Sequence, residues 1–304
     1  MQKAQLAEGL QKAVPGLCLR IDEPMCNHTS FRIGGPADLM ILPNSIGELQ
    51  QALRFLNGQK VPVYIMGNGS NLLVRDGGFR GVIIKLADNF SRIVVEGTKL
   101  RAQVGASLAK LASAAWQAGL GGLEFASGIP GTLGGAIAMN AGAYGGEMAD
   151  VIREVTCCDL EGGLYHFSLE ELELGYRTSR VRSQGYVALE ALLQLVPEDQ
   201  AVIKAKMHEL NQRRREKQPL NIPSAGSTFK RPPGYYAGKL IDEAGLRGFT
   251  HGRAQVSDLH CGFVVNLGGA TAKEVLELID MVRQRVWEKF RVKLELEVQV
   301  IGED

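Results

Sequence analysis

Residues 128–146 read GIPGTLGGAIAMNAGAYGG, with seven glycines, one proline and no charged side chain. Such a run could be a membrane span, a flexible linker or a loop in which the backbone approaches a ligand. A helical glycine costs about 1 kcal/mol and a proline about 3 kcal/mol relative to alanine, and a span needs about 20 apolar residues, so the membrane interpretation fails. The linker interpretation fails because Ala, Ile and Met are typical of ordered structure. Two interpretations stay open: tight turns in a compact fold, or backbone donors and a flat apolar wall for a ligand with a pyrophosphate and an aromatic ring.

The composition of the whole chain is that of a globular protein with excess glycine. The 304 residues include 37 glycines, 45% are hydrophobic, 22% are charged, and the formal net charge is +1. This charge gives no reason to expect a nucleic acid or a membrane surface as a partner. Five cysteines without a C-x-x-C pair argue against a disulfide framework or a zinc site, and the five histidines lack metal-ligand spacing, so we expect no metal. The first residues lack a long apolar stretch, and we expect a cytoplasmic protein.

The order of predicted elements favours an α+β fold. Hairpins are expected at 92–105 and 151–167, with helices between the strands and no regular βαβ alternation. A final strand is predicted over 292–301, which places Glu295 and Glu297 on one face. Helices are predicted to begin after four capping residues, namely Ser45, Ser107, Ser168 and Thr271.

A second glycine-rich loop, GNGSN at 67–71, follows a predicted buried strand. Successive backbone N–H groups in such a loop can form an anion-binding nest. The loop lacks the third glycine of the G-x-G-x-x-G dinucleotide fingerprint and precedes a strand. Residues 234–240 approach a P-loop pattern, but the glycines are too close together and Leu240 replaces the hydroxyl residue that would hold magnesium.

Three polar side chains stand in short patterns whose meaning residue chemistry alone leaves open. Ser227 lies in PSAGSTFKRP, Arg177 in YRTSR and Glu297 in LELEVQ. A serine in a turn is more often structural, and an arginine after a helix or a glutamate in a terminal strand is usually solvated. None of the three identifies a function by itself.

Taken together, these segments resemble one family, the UDP-N-acetylenolpyruvoylglucosamine reductases, flavoenzymes of peptidoglycan precursor synthesis. The resemblance extends from about residue 27 to the C-terminus and is carried by NHTSFRIGGPAD, GNGSNLLV, GIPGTLGGAIAMNAGAYGGEM, LGYRTSR, AGSTFKRP, GKLIDEAGLRG and LELEVQVIG. It implies an FAD-binding fold of the vanillyl-alcohol-oxidase type, with two FAD-binding subdomains (1–88 and 89–202) and a C-terminal α+β substrate-binding domain (203–304).

The resemblance implies an NADPH-dependent reduction with FAD as a non-covalent cofactor. NADPH would reduce FAD and leave, and UDP-N-acetylglucosamine-enolpyruvate would then be reduced to UDP-N-acetylmuramate. Hydride would reach C3 of the enolpyruvyl group, and the resulting enolate would be protonated at C2. The family's catalytic residues match three positions. Arg177 would bind the substrate carboxylate and the enolate, Ser227 would donate the proton, and Glu297 would orient groups at the enol oxygen.

The resemblance also implies binding residues; we expect a monomer with no nucleic-acid or membrane partner. Substrate contacts are expected at Tyr176, Lys217, Arg231 and Tyr235, with Lys217 and Arg231 at the diphosphate. FAD contacts are expected at Gly67, Asn68, Gly69, Ser70, Asn71, Ser127, Gly128, Ile129, Pro130, Gly131, Thr132, Gly134, Gly135, Asn140, Ala141, Gly142 and Tyr144.

The chain departs from the family pattern in two places. The family commonly reads PEVR near its end, whereas this chain reads LEVQ, with Leu296 and Gln299. Residues 186–196 run almost directly into a charged helix, which indicates the shorter subgroup that lacks a substrate-covering tyrosine loop. Two other functions stay open: another FAD-dependent oxidase or dehydrogenase of the same fold, and a nucleotide-sugar-binding protein without flavin.

Overall fold

The structure, a computed structural model, describes residues 3–304, and the chain divides into two compact units. Unit 1 comprises Met1–Ile21, Leu39–Asn68 and Gly81–Arg214. Unit 2 comprises Asp22–Asp38, Gly69–Arg80 and Arg215–Asp304. Each unit is therefore assembled from separate stretches of chain. The predicted three-part division at residues 88 and 202 stays a prediction.

Helices and strands alternate irregularly along the chain, and the predicted α+β class is confirmed. The helices of residues 3–304 are α1 (Lys3–Ala13), α2 (Ile46–Gln59), α3 (Leu108–Gln117), α4 (Leu133–Ala138), α5 (Met148–Val151), α6 (Arg180–Ser183), α7 (Gln200–Lys217), α8 (Ala237–Glu243) and α9 (Ala272–Phe290). The strands are β1 (Cys18–Pro24), β2 (Pro36–Leu42), β3 (Val63–Met66), β4 (Leu72–Val74), β5 (Phe79–Lys85), β6 (Ile93–Glu96), β7 (Lys99–Gln103), β8 (Leu120–Gly121), β9 (Gly142–Ala143), β10 (Gly146–Glu147), β11 (Ile152–Cys158), β12 (Leu164–Ser168), β13 (Val187–Gln194), β14 (Val196–Pro197), β15 (Ser224–Ser227), β16 (Thr250–His251), β17 (Ala254–Val256), β18 (Phe263–Asn266) and β19 (Gln299–Ile301).

Unit 1 contains a five-stranded antiparallel sheet in the order β12-β11-β13-β7-β6. The two predicted hairpins form its outer pairs. In β13, Leu189, Ala191 and Leu193 are all buried, as the two-residue period of a strand requires for one face on the core. A further sheet, β1-β2-β5-β3, contributes Leu39 and Ile84 to the same core. Burial of these apolar side chains is the main stabilising contribution in this unit.

Unit 2 contains the antiparallel sheet β15-β18-β17-β16 and the parallel pair β4 and β19. Helix α9 buries a stripe that includes Val275, Leu278, Val282 and Val286, spaced as one helix face requires. Its predicted capping residue, Thr271, accepts a hydrogen bond from the N–H of Glu274, which completes a capping box.

Two predicted elements are wrong. Ser168 and Glu171 exchange the predicted capping bonds, but residues 169–173 form only a turn. The carbonyl of Leu172 accepts the N–H of Arg180 at 2.7 Å and Glu173 has φ of 49°, so the backbone does not continue as a helix. The strand predicted over 292–301 is regular only in β19, because residues 295–297 pair irregularly with 228–230.

The glycine-rich stretch that raised the membrane question contributes only the six-residue α4 and the short hairpin β9–β10. Within residues 3–304, no helix combines the length and the apolarity needed to cross a membrane.

Candidate active site

The predicted flavin loop of unit 1 is held by backbone hydrogen bonds on both sides of Thr132. The N–H of Leu108 donates to the carbonyl of Gly131 at 3.2 Å, which ties the loop to the start of α3. Further on, Tyr144 and Gly145 form the turn of β9–β10 with φ of 55° and 90°. A two-residue hairpin turn with both φ values positive matches the twist of its strands. The Tyr144 side chain is 43% exposed at this turn.

Gly67, at the start of the first predicted glycine loop, lies close to Thr132 of the second loop within unit 1. A β-carbon at Gly67 would lie 2.2 Å from Thr132 Oγ1 and 3.0 Å from Thr132 Cγ2. A side chain at position 67 would therefore force Thr132 or the loop backbone to shift. Thr132 is only 3% exposed, and its side chain makes no cap for α4. Loops that only glycine can bring this close fit a cofactor held against backbone.

The glycines of the flavin loop differ in what surrounds them. The N–H of Gly134 donates to the carbonyl of Val104 at 2.8 Å, so this donor is used within the fold and does not reach a pyrophosphate. Glycine at 134 instead allows close packing, since a β-carbon would lie 3.1 Å from Val104 Cβ. At Gly135 the nearest atom to a β-carbon is Thr132 Oγ1 at 4.0 Å. Gly135 is exposed, and a β-carbon there would meet no other atom within 4 Å.

Helix α7 lies against the beginning of the same loop. A β-carbon at Gly128 would lie 2.2 Å from Asn211 Oδ1 and 3.3 Å from Arg214 Cδ. Arg214 is only 8% exposed, and its Cζ lies 5.9 Å from the centre of the Tyr144 ring. Burial lowers the pKa of the Arg214 guanidinium, and Tyr144 opposes the shift. A cation beside Gly128 could hold a phosphate.

Arg214 is not recognisable as a site residue from the sequence because it lies in a run of charged residues. Its position on the helix is the one indication in the sequence. Ile203, Leu210 and Arg214 are the buried residues of α7, and their separations of seven and four residues place them on one helix face. The adjacent Arg213 points elsewhere and pairs with Glu209 at 2.5 Å.

Arg177 lies in unit 1, in a tight turn whose ends are Gly175 and Thr178. The two ends exchange backbone hydrogen bonds of 3.1 and 3.3 Å. Arg177 itself has φ of 57°, in the left-handed region. Its side chain is partly buried, and its Cζ lies 5.3 Å from the ring centre of Tyr176, which is 58% exposed.

Ser227 and Glu297 are brought together in unit 2. Ser227 ends β15 and is half-buried, opposite Phe263 of β18. The N–H of Glu297 donates to the carbonyl of Thr228, the residue after Ser227, at 2.9 Å. The two predicted catalytic residues of this unit therefore lie on adjoining segments of backbone.

The end of the first glycine loop joins this cluster. Asn71 Nδ2 donates to the carbonyl of Glu297 at 3.1 Å, and the N–H of Gln299 donates to the carbonyl of Asn71 at 3.0 Å. Gln299, where the family commonly has arginine, donates its side-chain amide to the same Glu297 carbonyl at 3.1 Å. The backbone at Glu297 is thus fixed from two sides despite the departure.

The remaining predicted substrate residues of unit 2 are exposed. Lys217 ends α7, and Tyr235 is 49% exposed. The guanidinium of Arg231 stacks on Tyr236 at 4.1 Å from the ring centre, so Tyr236, which sequence analysis did not single out, supports Arg231.

Other predicted FAD residues are engaged in the fold of the loop. Ser127 Oγ donates to the carbonyl of Glu124 at 2.9 Å. Asn140 is 3% exposed with φ of 39°, and its Oδ1 accepts the N–H of Ala149 at 3.0 Å. These contacts shape the loop, and the cofactor roles of both residues stay predictions.

Comparisons with known proteins agree with this geometry. Two family models match: an FAD binding domain at residues 37–168, and the C-terminal domain of UDP-N-acetylenolpyruvoylglucosamine reductase at residues 218–301. The chain is 51% identical over 304 residues to the UDP-N-acetylenolpyruvoylglucosamine reductase of Alkaliphilus oremlandii, with 100% of both chains covered. It is 53% identical over 286 residues to that of Clostridioides difficile, with 94% of each covered.

Solved structures show the same fold. The crystal structure of UDP-N-acetylenolpyruvylglucosamine reductase from Thermus caldophilus matches with a TM-score of 0.80 at 37% identity, covering 94% of this chain and 99% of that one. Alkyldihydroxyacetonephosphate synthase matches in fold alone, with a TM-score of 0.50 at 16% identity over 64% of this chain and 40% of that one.

The fold and the glycine loops define the class of protein: an FAD-binding oxidoreductase with a separate C-terminal domain. Within that class, the chain belongs to the UDP-N-acetylenolpyruvoylglucosamine reductase family, as predicted.

Proposed function

We propose that this protein uses NADPH to reduce UDP-N-acetylglucosamine-enolpyruvate to UDP-N-acetylmuramate, a precursor of peptidoglycan. The proposal rests on family membership over the whole chain, together with one observation of the site. Ser227 and Glu297, the predicted proton donor and its partner, lie on segments joined by the hydrogen bond from Glu297 N–H to the carbonyl of Thr228.

FAD, when bound, supplies the two-electron chemistry that links NADPH to the enolpyruvyl double bond. The residues suited to hold it are those of the two glycine loops, where Gly67 lies against Thr132 and open space surrounds Gly135. Arg214, buried beside Gly128, supplies a positive charge at the same loop.

Arg177 binds the carboxylate of the enolpyruvyl group. Its planar guanidinium presents paired donors that match two carboxylate oxygens. When C3 of the substrate gains hydride, negative charge develops on those oxygens, and a fixed cation stabilises it more strongly than water does.

Ser227 donates its hydroxyl proton to C2, which completes the addition of one hydride and one proton across the double bond. An alcohol is a weak acid in water, but an enolate carbon is a strong base, and a site that excludes water favours the transfer. Glu297, on the adjoining segment, orients the groups around the enol oxygen.

Lys217 and Arg231 bind the diphosphate of the substrate, and Tyr176 and Tyr235 contact the sugar nucleotide. Both cations are exposed, and Arg231 is supported by Tyr236. We further propose that the protein acts as a cytoplasmic monomer without a nucleic-acid or membrane partner.

NADPH oxidation by the FAD-loaded protein, measured with and without UDP-N-acetylglucosamine-enolpyruvate, tests the proposal. We expect turnover to depend on the sugar nucleotide. Rapid reoxidation of the flavin by oxygen with no effect of the sugar nucleotide would favour another FAD-dependent oxidase or dehydrogenase. Failure to take up FAD would favour a nucleotide-sugar-binding protein instead.

A further inference from the structure

We infer that Arg182 is a positioning residue that holds Arg177 in its left-handed backbone conformation and so fixes the direction of the Arg177 guanidinium. The inference rests on the proposed role of Arg177 in binding the substrate carboxylate. It assigns a function to a residue outside every motif of the sequence.

The turn that carries Arg177 needs external support. Arg177 has φ of 57°, which is unfavourable for a residue with a β-carbon, and Thr178, not glycine, follows it. The two hydrogen bonds between Gly175 and Thr178 close the turn at its ends, but neither of them involves the carbonyl of Arg177.

Arg182 supplies that support through its side chain. Its Nη1 donates to the carbonyl oxygen of Arg177 at 2.9 Å. The same Nη1 lies 3.1 Å from Met139 Sδ, directly after α4. One guanidinium therefore joins the Arg177 turn to the end of the helix that follows the flavin loop.

The backbone of Arg182 is anchored to the same place. Arg182 lies in α6, which is capped by Ser179, a residue only 1% exposed. Ser179 Oγ accepts the N–H of Arg182 at 3.3 Å and donates to the carbonyl of Ala138, the last residue of α4, at 3.0 Å. The side chain of Arg182 contacts Met139, and its backbone is linked through Ser179 to Ala138. Because both contacts lie at the end of α4, they fix the position of Arg177 relative to the flavin loop.

The other groups near this contact do not replace it. Tyr64, on β3, is close enough that the charge of Arg182 partly opposes the rise that burial causes in its pKa. Arg180, on the same helix, turns away: its Nε donates to Gln184 at 3.1 Å, and its guanidinium stacks on Phe167 at 4.9 Å. Arg180 is therefore a matched control, an arginine of the same helix whose described contacts do not include Arg177.

The test compares Arg182→Gln with Arg180→Gln in FAD-loaded enzyme, with each half-reaction measured separately. For Arg182→Gln we expect reoxidation of the reduced flavin by UDP-N-acetylglucosamine-enolpyruvate to slow roughly tenfold to a hundredfold, the range that small misplacements cause. Flavin reduction by NADPH should stay unchanged. Arg182→Lys, which keeps a donor and the charge, should recover most of the rate, and Arg180→Gln should behave as wild type.

A double variant separates positioning from direct contact. In an Arg177→Ala background no guanidinium is left to position, so adding Arg182→Gln should change the reoxidation rate by less than about twofold. If the double variant shows the product of the two single-variant losses in reoxidation rate, the inference is overturned. A normal reoxidation rate in Arg182→Gln, when Arg177→Ala is slow, would also overturn it. If Arg177→Ala itself reoxidises normally, the proposed role of Arg177 fails first. Loss of FAD or folding in Arg182→Gln, with Arg182→Lys equally inactive in both half-reactions, would assign Arg182 to the fold and not to positioning.

Discussion

Gly67 and Thr132 are packed so closely that a β-carbon on the glycine would lie 2.2 Å from the threonine hydroxyl oxygen. Gly67 directly follows β3 and begins the loop GNGSN, and Thr132 directly precedes α4 in the longer glycine-rich segment. Both residues belong to unit 1, and the short distance leaves little room for a side chain larger than hydrogen at position 67.

Gly67→Ala should therefore weaken FAD binding. Overpacking costs about 1–3 kcal/mol, which corresponds to roughly a tenfold to hundredfold rise in the dissociation constant of FAD if the loop shift falls on the cofactor site. The dissociation constant of FAD is measured by the quenching of flavin fluorescence when FAD is titrated with the apoprotein. Gly58→Ala, in α2 with nothing within 4 Å, is the control, and Gly67→Ala/Thr132→Ala should regain part of the affinity. Unchanged affinity in Gly67→Ala would exclude a role for this contact in the cofactor site.

Ser227→Ala should slow the reoxidation of reduced flavin by the enolpyruvyl substrate and leave its reduction by NADPH intact. Loss of a general acid typically costs about 10²–10⁴-fold in rate. Stopped-flow absorbance of the flavin separates the two half-reactions. Ser224→Ala, at the other end of β15, is the matched control. Equal losses in both half-reactions would argue that Ser227 is structural and not the proton donor.

Glu297→Gln should likewise affect only the step with the sugar nucleotide, by tenfold or more, if the carboxyl has the proposed role of orienting groups at the enol oxygen. The control is Glu295→Gln, whose carboxylate is 74% exposed and pairs with Lys230 at 3.2 Å. We expect that variant to retain nearly full activity, since exposed ion pairs contribute little. Steady-state kcat and KM for the sugar nucleotide measure both effects. Similar losses in the two variants would point to general disruption of the C-terminal segment.

Stability should fall at alkaline pH because of two buried thiols in β11. Burial, with Cys158 beside one thiol and Asp159 beside the other, raises the pKa of Cys157 and Cys158 from 9.0 to about 12. Between these values the unfolded chain releases protons that the folded chain keeps, so stability is complete below pH 9 and is lost as the pH rises towards 12.

Thermal unfolding of the holoenzyme from pH 8 to pH 11 checks this prediction, since each thiol should contribute a slope of about 1.4 kcal/mol per pH unit above pH 9. The double variant Cys157→Ala/Cys158→Ala should have a flatter profile. Cys18→Ala, which removes an exposed thiol, should not. Identical slopes in wild type and double variant would show that other groups cause the alkaline loss.

Local chemistry in the sequence was enough to predict most elements. Capping by Ser45, Ser107 and Thr271 is present as expected, because the cap depends on residues only three positions apart. A capping pattern is insufficient where backbone from another segment forms hydrogen bonds with the residues of the predicted helix. Ser168 and Glu171 make their capping bonds, yet Arg180 takes the carbonyl of Leu172 and the helix does not form.

In the candidate site, too, some residues could be predicted from the sequence and others could not. Ser227, Arg177 and Glu297 could be selected only because several short segments together matched a family, since each residue type alone is usually structural or solvated. Arg214 was missed because a charged residue in a charged run resembles a solvated face. Its burial beside Gly128 depends on how α7 packs, which lies beyond local pattern.

The sequence by itself determined the family and the α+β class, because these depend on residue identity and short spacing. Only the tertiary structure decided which glycines serve packing and which leave space. It decided that the N–H of Gly134 is used by Val104, that Glu297 adjoins Ser227, and that Arg182 holds the carbonyl of Arg177. The physical reason is that hydrogen bonds and close contacts between residues far apart in sequence form only once the chain has folded, and no local pattern encodes their partners.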